Sequence, residues 1–172
     1  MTRPTTFDSP LGAYCCARDV DKAPRDDTRA AACASPGYAH LYALNVDRRP
    51  RDDTRAAACA SPHYAYAYAR YVDECPRDDT RQAACGDPLA AYDYARDVDG
   101  RKPVRLGKVG VYEVTYLAGV VNVGCQYHTV EDWAENWRTY AEAEGLGLEP
   151  TPADVEALLE AARAAADKEA TP

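Results

Sequence analysis

The chain has 172 residues, room for one domain or for a small domain with an appendage. Its formal net charge is −8, and its arginines alternate with aspartates where a nucleic-acid binder would carry a basic stripe, so no nucleic-acid partner is expected. No run of about 18 apolar residues is present to span a membrane, and the opening "MTRPTTFDSPLG" lacks the apolar core of a signal peptide.

Residues 1–8 read as a short N-terminal arm, and a repeat begins at Ser9. Aligning Pro10, Pro36, Pro62 and Pro88 gives a period of 26 residues, dividing the chain into 9–34, 35–60, 61–86 and a partial copy, 87–103. Each copy opens Ser-Pro or Asp-Pro (Ser9, Ser35, Ser61, Asp87), an N-cap followed by proline at the first helical position. Ala13/Ala39/Ala65/Ala91, Ala17/Ala43/Ala69/Ala95 and Val20/Val46/Val72/Val98 follow at spacings of four and three, which is one helical face. A first helix of roughly ten residues therefore ends near the repeated Val-Asp.

The proline of "PRDDTR" breaks that helix and starts another. Asp26-Asp27, Asp52-Asp53 and Asp78-Asp79 fall in its first turn, where the helix dipole favours negative charge. Arg29, Arg55 and Arg81 follow within side-chain reach, and Arg25, Arg51 and Arg77 precede. These charges read as solvated caps and ion pairs within each copy. Stacked, they would alternatively form a functional charge ladder along one edge. The small Ala-Ala-Cys that comes next lets helices pack closely. Two short helices per 26 residues cannot bury their own faces, so stacking must close the core, as in α-solenoids.

Thirteen tyrosines are present, many in the first helices: Tyr38, Tyr42, Tyr64, Tyr66, Tyr68, Tyr71, Tyr92 and Tyr94. "HYAYAYARY" alternates like a strand, but its counterparts in register have helical spacing. Rings on more than one face imply that some are core and that others form an outward patch suited to a protein partner. Of the seven cysteines, Cys33, Cys59 and Cys85 recur at one repeat position, which suits packing, and no CxxC occurs. Structural thiols in a reducing, cytoplasmic compartment are expected, with export by a route lacking a signal peptide left open.

From Val104 the composition turns β-branched, and "KVGVYEVTYLAGVVNVGCQY" reads as a hairpin, 109–116 and 120–126, with a turn at 117–119. Thr129-x-x-Asp132 resembles a capping box, with Asp for Glu. The helix after it carries Val130, Trp133, Ala134, Trp137, Tyr140 and Ala141 on one face and stops at Gly145. "TPAD" starts a last helix with the stripe Val155, Leu158, Leu159, Ala162. This ββαα unit, 104–172, is expected to cover the exposed end of the array.

Within it, "GCQYH" is the place where enzyme chemistry can be argued. Cys125 and His128 could form an activated thiolate or half of a metal site. No second ligand pair at metal spacing and no orienting Asn or Asp is evident, so packing is the favoured reading.

The 26-residue units resemble short two-helix repeats of uncharacterised phage and prophage proteins, over about residues 9–103. "VVNVGCQYHTVEDW" looks like a module that follows such arrays in phage-type proteins, over about 104–145. Neither resemblance brings an activity or a catalytic residue with it; what they imply is a phage or mobile-element origin.

The expectation is thus a mainly α protein, an α-solenoid of 26-residue helix-turn-helix repeats with a small α+β cap. Its expected role is non-catalytic, a protein-binding or self-assembly module without metal or cofactor. A head-to-tail filament or tube subunit is the alternative, resting on a bare apolar first copy (Ala13, Cys16, Ala17, Val20). A Cys/His-dependent enzyme comes third.

Overall fold

The computed structural model describes residues 6–109, 111–143 and 152–170. It is mainly helical, with one small antiparallel sheet, and forms two compact units, Met1–Ala90 and Ala91–Pro172.

The first unit contains the repeated helix pairs: α1 (Pro10–Cys15) with α2 (Asp26–Ala32), α3 (Pro36–Tyr42) with α4 (Asp52–Ala58), and α5 (Pro62–Tyr68) with α6 (Asp78–Ala84). Proline stands at the start of α1, α3 and α5, as its fixed φ and missing N–H allow. Each of these helices then widens into a π-helical segment: Cys16–Asp21, Ala43–Asp47 and Ala69–Asp73. Repeat spacing gave the end point at Val-Asp but not the widening, which a four-and-three count cannot register. A left-handed residue closes each segment: Lys22, Arg48 and Glu74, with φ of 52°, 51° and 54°.

Close packing between successive pairs follows from the alanines. Ala17 and Ala32 share a core with Tyr14 and Tyr42, and Ala43 and Ala58 share the next with Tyr68. All of these except Tyr14 are fully buried. Where a methyl group stands in one copy, a tyrosine from the next copy fills the space. Gly37 goes further: a Cβ there would meet the Tyr64 ring at 2.9 Å, so the absence of a side chain admits the ring.

The second unit is built on four strands in the order β1-β2-β3-β4: β1 (Val104–Val109), β2 (Tyr112–Leu117), β3 (Val120–Val123) and β4 (Gln126–Thr129). The expected hairpin is its central pair, with Leu117 opposite Val120 across a turn in which Ala118 and Gly119 both have positive φ. The expected ββαα unit is therefore corrected to ββββαα. The outer strands escaped notice because "VRLGKV" is charged and bulged at Arg105/Gly107, and "QYHT" is short and polar.

Strand alternation gives this sheet two apolar faces. Val109, Val114, Tyr116, Val121 and Val123 pack with Val130 and Trp133 of α8 (Val130–Ala143) and with Val155, Leu158, Leu159 and Ala162 of α9 (Pro152–Ala170). Leu117 and Val120 pack on the opposite side against Ala91, Tyr92 and Ala95 of α7 (Pro88–Asp97). Ala91 and Ala95 are the fourth-copy equivalents of Ala39 and Ala43. The sheet thus covers the face of α7 that carries Ala91 and Ala95. This contact explains why the compact units divide at Ala90/Ala91, whereas composition changes at 103/104. The expected helix stop at Gly145 and the packing of Ala141 fall outside the described residues and side chains.

Candidate functional site

The three groups of residues singled out by sequence meet different fates, and the charge ladder changes meaning most. Arg29 and Arg55 are 4% and 6% exposed, and Thr28, Thr54 and Thr80 are fully buried. Arg29 binds Asp47 through Nε and Nη2 at 2.9 and 2.8 Å, and Arg55 binds Asp73 in the same way at 3.0 and 2.8 Å. Asp47 and Asp73 are the Val-Asp carboxylates of the following copy, and their side chains are 0% and 2% exposed. The Thr28 hydroxyl lies 2.7 Å from the Tyr42 hydroxyl, which also accepts from the Arg25 N–H at 3.0 Å. Thr54, Tyr68 and Arg51 repeat the arrangement.

This is a correction to the reading of solvated caps within each copy. The inner half of the phrase is a buried polar joint between copies. The guanidinium forks two carboxylate oxygens, and each buried hydroxyl finds a partner, as burial of polar groups requires. The outer half remains solvated: Asp26, Asp52 and Asp78 are fully exposed while still meeting Arg29, Arg55 and Arg81. Arg25, Asp27, Arg77 and Asp79 are also exposed, as is Asp53, and Arg51 is half-buried.

The tyrosines divide similarly. Tyr42, Tyr68, Tyr92 and Tyr94 are buried; Tyr38, Tyr64 and Tyr66 are half-buried; Tyr71 is 51% exposed. Of the expected patch, Tyr71 is the member that faces outward, with the Arg70 guanidinium 5.4 Å from its ring centre. Leu44, on the π-helical segment of the neighbouring copy, is 37% exposed.

Cys125 stands exposed in the turn between β3 and β4, and His128 lies on β4. His128 Nδ1 is 2.7 Å from Asp132 Oδ2, and its Nε2 is 3.0 Å from Gln126 Oε1. The ring stacks on Tyr140 at 3.7 Å and 11°. Asp132 also accepts from Tyr140 and Asn136, at 2.8 and 2.9 Å. Partial burial pushes the Asp132 carboxyl up, but these hydrogen bonds and that of His128 outweigh it and hold its pKa below the ordinary value. The Tyr140 hydroxyl, bound to that carboxylate, is pushed up.

An orienting carboxylate is thus present, although none is evident from sequence. Asp132 is the residue expected to complete the capping box. Thr129 does cap α8, accepting from the Asp132 N–H at 3.1 Å. The Asp132 side chain turns instead to the histidine four residues back. The signal in the sequence is the i, i+4 spacing of His128 and Asp132. His128 is thus engaged through both ring nitrogens. The cluster ties β4 to α8.

All seven cysteines are free thiols. Cys33 is half-buried and its pKa is pushed up to about 11, first by burial and then by the Asp53 charge, the opposite of nucleophile activation. Cys59 shifts in the same direction for the same reasons, whereas Cys85 is exposed. Among the described residues no group of three or more His, Cys, Asp or Glu is placed to hold a metal, and no helix is long and apolar enough to cross a membrane.

No family model matches the chain, and neither a curated protein nor a solved structure does. The likeness to phage-type repeats therefore stands on sequence motifs alone.

Proposed function

We propose that the protein is a non-catalytic protein-binding module, an α-solenoid whose stacked helix pairs hold an exposed face rigid. The observation that carries this reading is where the large side chains go. The joints use the repeated Arg, Thr and Tyr internally, while Tyr71 and Leu44 are exposed on adjacent π-helical segments, with the half-buried Arg70 over the Tyr71 ring. Tyrosine and arginine are the residues most enriched at binding hot spots, and a rigid scaffold lowers the entropy cost of presenting them.

Two other readings have less behind them. Head-to-tail polymerisation needs an open apolar end, yet Ala13, Cys16 and Ala17 are buried and Val20 is half-buried. Cysteine catalysis needs an imidazole poised on Cys125, and the contacts of the His128 ring nitrogens are with Asp132 and Gln126.

The test is affinity capture with the wild type and with the Leu44→Asp/Tyr71→Asp double variant, each checked for unchanged melting. A partner held by the wild type and lost by the folded variant supports the reading. A partner held equally by both overturns this face as the binding surface. Light scattering of the wild type alone would show large particles if the chain polymerises instead.

A further inference from the structure

A groove of about 430 Å³ opens in the first unit where the π-helical segments of the first two copies end. Ala17 and Val46 form its apolar part, and Arg18, Lys22, Asn45 and Arg48 its polar rim. Three of these four carry positive charge. Asp19 binds Arg18, and Asp21, which precedes Lys22, meets the Cys16 thiol and lies 4.0 Å from Arg25, so Lys22 and Arg48 are the rim cations without a carboxylate partner among the described residues.

The rim is also partly preset. Arg18 is held by Asp19 through two bonds of 2.7 Å and donates to the Tyr14 hydroxyl at 3.3 Å. Asn45 Nδ2 donates to the same hydroxyl at 3.1 Å, fixing its amide across the boundary between copies. The counterpart of Asn45 one copy later is Tyr71, a much larger side chain.

Lys22 and Arg48 occupy the left-handed positions that close each π-helical segment. Glycine adopts that conformation without steric cost, and Gly100 stands there in the fourth copy with φ of 71°. The third copy has Glu74. Charge at the end of a helix could explain Lys22 and Arg48 but not Glu74, which has the wrong sign for the dipole. Basic residues accept the left-handed strain in both copies that border the groove.

From this placement we propose that the groove binds a small multivalent anion through carboxylate or phosphate oxygens. Lys22 and Arg48 supply the charge, and the fixed Asn45 amide and Arg18 supply orientation. The proposal does not depend on the protein-binding face.

The experiment is a titration followed by amide NMR at low ionic strength, with inorganic phosphate and with citrate as the probes and sodium chloride as the control for screening. The expected result is saturable shifts at residues 22–23 and 45–48, including the Asn45 side-chain amide. At least tenfold weaker binding is expected in Lys22→Ala/Arg48→Ala, with no change in Arg49→Ala. Tighter saturation by citrate assigns carboxylates, tighter saturation by phosphate assigns phosphate groups, and equal saturation supports their shared chemistry. Saturation by neither probe overturns the proposal. So does a double variant that melts lower yet binds as before, because Lys22 and Arg48 would then only neutralise helix ends.

Discussion

At the scale of single residues, the same arginine faces two carboxylates of very different standing. Arg55 meets Asp52, which is fully exposed, and Asp73, whose side chain is 2% exposed. Removing one partner of a buried pair strands the other charge, at a cost of about 3–5 kcal/mol. Arg55→Ala should therefore lower stability in denaturant unfolding by about that amount, while Asp52→Ala should change it little; equal effects would mean that the joint is not buried. Sequence placed Arg55 beside Asp52 correctly, three residues apart. It missed Asp73 because that contact crosses 18 residues and depends on how copies stack.

His40 offers a second test at this scale. It is 7% exposed with its Nδ1 unpartnered, at a position where the other copies have Tyr14, Tyr66 and Tyr92. Burial, followed by the His63 charge, lowers its pKa. The unfolded chain then takes up the proton first, so acid favours unfolding. Stability is full above the ordinary histidine value and falls as pH drops through it toward the lower folded value. Melting temperature should therefore decline between pH 7.5 and 5.5, and His40→Tyr should flatten that decline; an unchanged slope would remove His40 as its source.

At the scale of elements, apolar side chains at short local spacing made the fold legible. The Ser-Pro starts, the alanine stripes and the Leu-Ala-Gly-Val turn all mark real boundaries. Where an element owes its existence to a distant neighbour, the sequence was silent. β4 is "QYHT", polar and four residues long, and it is a strand because β3 supplies the ladder and Tyr127 meets Tyr92 across the second face of the sheet. The π-helical segment of the second copy carries Asp47, whose arginine partner lies in the preceding copy. Close approach at the joints can be tested directly. Ala58 is fully buried among Ala43 and Tyr68, so Ala58→Leu should overpack the joint and cost about 1–3 kcal/mol in urea unfolding. Wild-type stability in this variant would mean that α4 does not face its neighbours so closely.

At the scale of the whole molecule, the polar joint chemistry repeats from copy to copy. "PRDDTRAAACASP" occurs unchanged at 24–36 and 50–62, and the Thr–Tyr and Arg–Asp bonds at the two joints agree within 0.1 Å. Deleting residues 35–60 removes one full period and brings Arg29 to the position from which Arg55 met Asp73. Thr28 then meets Tyr68, and the Ala17 face receives the same ring that Ala43 received. When each copy contacts only its neighbours, stability is a sum of copy and joint contributions, and the denaturant slope m follows the surface exposed on unfolding. The shortened chain should therefore fold cooperatively, with a lower midpoint and a smaller m than the full chain. A chain with a second copy of 35–60 inserted should move both quantities upward. Circular dichroism during urea unfolding of the three lengths would measure this. A deletion variant without a cooperative transition would show that the joints are matched individually, and that the repetition is one of sequence without being one of energetics.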